Sequence, residues 1–112
     1  MIELGEEEKE EHEKLADVIA TMSLEKIVLV GPRVSKYTYP KLKQMGTLEK
    51  FLMPKDALNY LLNKLEGGET ILFKGARFLE GIIEHLLANK NDIEKLCRRE
   101  KIWQERREKW GL

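Results

Sequence analysis

The run Lys26-Ile27-Val28-Leu29-Val30-Gly31-Pro32 constrains this chain more than any other feature. Four consecutive apolar residues, three of them β-branched, end abruptly at Gly-Pro. A strand with no polar alternation is covered on both faces, which is the environment of a parallel sheet. Parallel neighbours need a crossover of roughly a dozen residues or more, usually a helix. The run therefore predicts strands alternating with helices.

The flanking segments fit that expectation. Leu15, Val18, Ile19 and Met22 recur at helical spacing after a Glu-rich first turn, predicting an amphipathic helix from about residue 6 to 22. From Ser35 to Gln44 the pattern is poor and Pro40 interrupts it, so any helix there is short or broken. A second strand fits Lys50-Phe51-Leu52-Met53, and Pro54 opens a helix with Leu58, Leu61, Leu62 and Leu65 on one stripe, ended by Gly67-Gly68. A third strand fits Thr70-Ile71-Leu72-Phe73-Lys74, followed after Gly75 by a helix whose inner stripe is Leu79, Ile82, Ile83, Leu86 and Leu87. The order α-β-α-β-α-β-α predicts a Rossmann-like three-layer α/β domain over residues 1–89, its mostly parallel sheet of about three strands flanked by helices. Residues 90–112 are expected to form a charged helical tail, with Trp103 and Trp110 docking it on its own domain or on a neighbour.

Composition narrows the function. The chain has 112 residues, one cysteine and two histidines, so a disulfide scaffold or structural zinc module is not expected. Its apolar runs are short, with no membrane span and no secretory signal at Met1, and the expected location is cytoplasmic. The zero net charge conceals an asymmetry. Residues 3–14 carry seven glutamates against two lysines, whereas residues 33–55 carry six cations against Glu49 alone. The basic stretch reads either as an anion-binding surface or as a solvated face. Tyr37 and Tyr39 interleave with its lysines, but no nucleic-acid motif surrounds them, and no nucleic-acid partner is expected.

Enzyme signatures are scarce. Neither G-x-x-x-x-G-K-[ST] nor G-x-G-x-x-G occurs, Cys97 lies in a charged segment with no nearby base, and His12 and His85 have no sequence partner. No residue is assigned a catalytic or metal-binding role. Open parallel sheets bind ligands beyond the carboxyl ends of their strands, which points to the loops at Gly31-Pro32-Arg33, Met53-Pro54 and Lys74-Gly75-Ala76-Arg77. In the third loop two cations and a glycine sit where a strand gives way to a helix. That arrangement either takes a carboxylate or phosphate, or caps and pairs with acidic neighbours.

Glu3-Leu4-Gly5, then His12, then Ile27-Val28-Leu29-Val30-Gly31, then Gly68-Glu69-Thr70-Ile71-Leu72-Phe73-Lys74-Gly75-Ala76-Arg77 with Glu80 following, together resemble the C-terminal domain of the Mur ligase family. The likeness covers roughly residues 2–88 and is greatest to the branch that adds D-alanyl-D-alanine to the UDP-N-acetylmuramoyl tripeptide (MurF type). Ala76 stands where the family often has Ser, and Glu80 comes sooner after Arg77 than in the usual pattern.

The resemblance implies a reaction of peptidoglycan precursor synthesis in which ATP activates a carboxylate as an acyl phosphate, which an amine then attacks. This domain would position the amine by clamping the carboxylate of a D-amino acid or dipeptide, with Lys74, Gly75, Arg77 and Glu80 as substrate-binding residues and Gly31 and Arg33 as loop contacts. Glu80 would orient Arg77 or hold the substrate ammonium. Glu3 and His12 would serve loop and helix architecture. ATP and Mg would belong to the ATPase domain of the full-length ligase, and no cofactor would be bound by this chain alone. The expected partners are the ATPase and UDP-substrate domains, or another copy of the chain, and the chain would be inactive alone. The alternative is a non-enzymatic protein-interaction module derived from the same domain. Folylpolyglutamate synthase, a relative of the family, fits the K-G-A-R loop less well.

Overall fold

The apolar run that dominates the sequence forms strand β1, Ile27–Val30, and it pairs in parallel with β2, Leu48–Phe51. Partners run from Ile27 opposite Leu48 to Val30 opposite Phe51. The pairing is fixed at its ends by Ile27 N–H donating to Thr47 O at 3.0 Å and Gly31 N–H donating to Phe51 O at 2.8 Å. The structure, a computed structural model, describes residues 4–75 and 79–112. It is a mixed α/β fold in two compact units, Met1–Met53 and Pro54–Leu112.

In the first unit, a short 3-10 turn at Gly5–Glu7 leads into α1, Glu8–Ala20. Its first turn carries Glu8, Glu10 and Glu11, the sign that suits the positive end of a helix dipole. The helix buries His12 and Ala16, one turn apart, while Val18 and Met22 are exposed. The buried face is thus rotated from the expected stripe of Leu15, Val18, Ile19 and Met22. Strand β1 alternates, with Ile27 and Leu29 buried and Val28 and Val30 half-buried, so one face is less fully covered than the unbroken run suggests. Strand β2 begins two residues earlier than expected and ends before Leu52, which is exposed.

Between the strands the chain is helical over residues 32–42. A π turn spans Val34–Thr38, closed by Tyr39 N–H donating to Val34 O, and α2 follows at Tyr39–Leu42. Pro40 accounts for the wide turn. It has no N–H for the carbonyl four residues back, and its ring crowds that carbonyl, so an α-helical ladder cannot run through it.

In the second unit, Pro54 occupies the first position of α3, Pro54–Lys64, which buries Ala57, Leu58 and Leu61. Gly67 and Gly68 follow at φ +109° and +86°, a backbone region open to glycine. Helix α4, Leu79–Leu86, buries Glu80, Gly81 and Ile82 and packs on α3. A 3-10 turn at Lys90–Lys95 precedes α5, Lys101–Lys109. Lys90 Nζ caps α4 by donating to the Glu84 and His85 carbonyls at 3.0 and 2.9 Å. Helix α5 closes with Gly111 at φ +75°, Leu112 N–H donating to Arg107 O and Gly111 N–H to Glu108 O, a Schellman cap.

Thr70–Lys74, expected as a third strand, belongs to no ladder. Ile71 and Leu72 are exposed, and among the described residues the sheet has two strands. A strand exists only with a hydrogen-bonded neighbour, and no strand lies among the described residues of the Pro54–Leu112 unit. Among the described residues, no helix is long and apolar enough to cross a membrane.

Candidate functional site

The first unit places its polar groups at the carboxyl end of β1. Gly31 turns the chain at φ +115°, a conformation that disfavours a side chain, and its carbonyl accepts from Ser35 Oγ at 2.7 Å. Arg33, expected as a loop contact, donates Nε to a Glu8 carboxylate oxygen and so ties the loop to the start of α1. Lys41 pairs with Asp17 at 2.5 Å, while Lys36 lies 4.8 Å from the Tyr37 ring centroid and Lys50 lies 4.2 Å from that of Tyr39. Much of the basic stretch is therefore engaged with α1 and with its own tyrosines.

His12 lies at the centre of this unit, wholly buried. Its Nδ1 is 2.7 Å from the Glu8 carbonyl one turn back, while its Nε2 has no hydrogen-bond partner among the described residues. Thr38, also wholly buried, donates Oγ1 to the His12 carbonyl at 3.0 Å, and the Tyr37 ring centroid is 6.0 Å from that of His12. The π turn thus delivers Tyr37 and Thr38 to the histidine face of α1. Glu3, expected with His12 to serve loop and helix architecture, lies outside the described residues.

The second unit carries the K-G-A-R loop. Glu69 precedes it, its carboxylate accepting from the Glu66 and Gly67 amides at 2.6 and 2.8 Å; these bonds hold its carboxyl below the usual carboxylate range. Lys74 is exposed. At Gly75 an added Cβ would lie 2.8 Å from Leu79 Cδ1, so glycine here lets the first residue of α4 close onto the loop. Arg77 and Ala76 lie outside the described residues.

Glu80, expected to orient Arg77 or to hold a substrate ammonium, is buried, and two guanidiniums from the C-terminal segment face it. Arg107 Nη1 is 4.0 Å from Oε1 and Arg98 Nη1 is 4.0 Å from Oε2. Glu84, one turn on, binds Arg99 and lies 3.6 Å from Arg107 Nε. Arg98 stands in the left-handed region at φ +58°, unusual for a side-chain-bearing residue, and its carbonyl accepts from Arg107 Nη1 at 2.9 Å. Gly81 makes the approach possible: a Cβ there would meet Leu112 Cδ1 at 2.8 Å and Arg107 Cδ at 2.9 Å. This network had no sequence signal beyond the i, i+4 spacing of Glu80 and Glu84 and an arginine-rich tail.

Among the described residues no group of three metal-ligating side chains is assembled. Comparisons with protein-family models, curated proteins and solved structures find no match to this chain.

Proposed function

We propose that this chain is the amino-substrate-binding domain of a Mur-type, ATP-dependent amide ligase. The single observation that carries the reading is the sequence Lys74-Gly75-Ala76-Arg77 leading into a helix whose second residue, Glu80, is a buried carboxylate. One loop and one helix end thus supply cations for a carboxylate and an anion for an ammonium, the two charges of an amino acid or dipeptide. The parallel pairing of β1 and β2 suits a Rossmann-like sheet.

The work of such a domain is positioning. Lys74 and Arg77 clamp the carboxylate of a D-alanyl-D-alanine-like substrate so that its amine faces an acyl phosphate, and good orientation contributes up to roughly 7–11 kcal/mol to such a step. The amine nitrogen bonds to the acyl carbon, the phosphate leaves, and the amine proton passes to solvent or a base. ATP and Mg belong to the ATPase domain with which this chain would act, and the acyl group is presented by a UDP-substrate domain. A cytoplasmic location accords with that chemistry.

A two-dimensional amide NMR titration with D-alanyl-D-alanine to millimolar concentration tests the reading. Expected are shifts at Lys74, Gly75, Arg77 and Glu80, and their weakening in Arg77→Ala. If that variant binds the dipeptide as the parent does, the clamp is misassigned. A folded spectrum without shifts favours the second reading, a non-enzymatic interaction module, to which the exposure of Ile71 and of Leu72, 77% accessible, lends support.

A further inference from the structure

We propose that Glu80 anchors a site for a primary ammonium and that Arg107, from the chain's own C-terminal helix, is its built-in occupant. The side chain of Glu80 is 95% buried, yet its Oε1 has no hydrogen-bond partner among the described residues. Arg107 offsets the charge from 4.0 Å, beyond hydrogen-bond distance, while its Nη1 donates to the Arg98 carbonyl at 2.9 Å. A buried carboxylate oxygen in a native protein normally accepts a bond, so the carboxylate is neutralised without being satisfied. The group that completes it is a compact donor of the same charge. An ammonium, with three donors on one atom, fits where a planar guanidinium does not reach.

Two further features make the occupant displaceable. Arg107 lines a cavity of about 550 Å³ together with Glu84, His85, Arg99, Glu108 and Leu112, whereas Glu80 is not on the wall. Moving Arg107 aside therefore joins Glu80 to that space. Helix α5 is also polar over most of its length, and Arg107 is its buried residue. Charge pairing and the approach of Leu112 and Arg107 to Gly81 hold it in place, with little apolar burial to resist opening.

The identity of the ligand as an amino substrate rests on the proposed function; the occupancy of Glu80 by Arg107 rests on the geometry alone. The test uses the full chain and two probes, ethylammonium chloride and D-alanyl-D-alanine, against sodium chloride at equal ionic strength, read at the Glu80 and Gly81 amides by NMR. Removing an internal competitor raises apparent affinity by the inverse of the fraction of molecules it had left open. Arg107→Met is expected to bind ethylammonium roughly tenfold tighter than the parent, and Arg107→Lys to resemble the parent. A folded Arg107→Met with unchanged or weaker binding overturns the proposal. Should that variant not fold, hydrogen exchange on the parent decides: ethylammonium is expected to speed exchange across Lys101–Lys109, and unchanged exchange overturns the proposal. A response to ethylammonium without one to D-alanyl-D-alanine upholds the occupied site and counts against the ligase reading.

Discussion

The two units bury polar groups in opposite ways. Among the described residues of Met1–Met53 the buried polar side chains are His12 and Thr38, and each meets a backbone carbonyl of α1. In Pro54–Leu112 they are charged, Glu80 and Arg107, and they meet across segments far apart in the chain. A polar group bonded to nearby backbone costs little to bury and adds little when removed. A buried charge depends on remote partners, so the second unit loses more stability when one of them is withdrawn.

Withdrawing Glu80 should have the largest effect. Glu80→Ala removes one of the two carboxylates that face buried Arg107, leaving Glu84 at 3.6 Å, and is expected to lower stability by about 2 kcal/mol in urea unfolding. Leu at both positions 80 and 107 should recover most of that loss; a single mutant as stable as the parent would remove the contrast between the units. Next comes Gly81→Ala. Overpacking against Leu112 and Arg107 costs about 1–3 kcal/mol and the helix propensity of alanine returns about 1, leaving a net loss near 1 kcal/mol, relieved when Leu112→Ala is added.

In the first unit Thr38→Val keeps the shape and removes one donor, for an expected loss of about 1 kcal/mol by thermal unfolding. A loss as large as that of Glu80→Ala would mean that the cluster of His12 and Thr38 is no less brittle than the charged one. The smallest effect lies at Glu69. Its carboxyl is held low by the Glu66 and Gly67 amides, so the contribution to stability is present above the ordinary carboxylate pKa and is lost as pH falls through the depressed value. The amide shifts of Glu66 and Gly67 should therefore titrate below the usual carboxylate midpoint, and Glu69→Gln should abolish that titration.

Local chemistry made much of the fold legible. Strand β1 was readable because its residues are apolar without interruption and Gly-Pro must end them; α3 was readable because Pro54 starts a helix and Gly67-Gly68 cannot continue one. Thr70–Lys74 misled because Ile, Leu and Phe suit a strand, while strand formation also needs a neighbour that propensity does not supply. The face of α1 was misjudged since a histidine and an alanine, not the larger Val18 and Met22, turn inward. At the candidate site the loop at Lys74 and Gly75 could be placed from the change of period, but the partners of Glu80 could not. Arg98 and Arg107 belong to a segment with no apolar rhythm, and nothing local ties an arginine there to a glutamate on α4.

The wide turn at Val34–Thr38 divides the labour of one helical segment. Upstream of Pro40, Ser35 closes on Gly31 and Tyr37 meets His12; downstream, Leu42 fills the core. The wide turn takes in one residue more than an α turn, so the side chains that follow it are rotated relative to those before it. One short segment can thereby serve two surfaces, the histidine face of α1 and the core beneath the sheet.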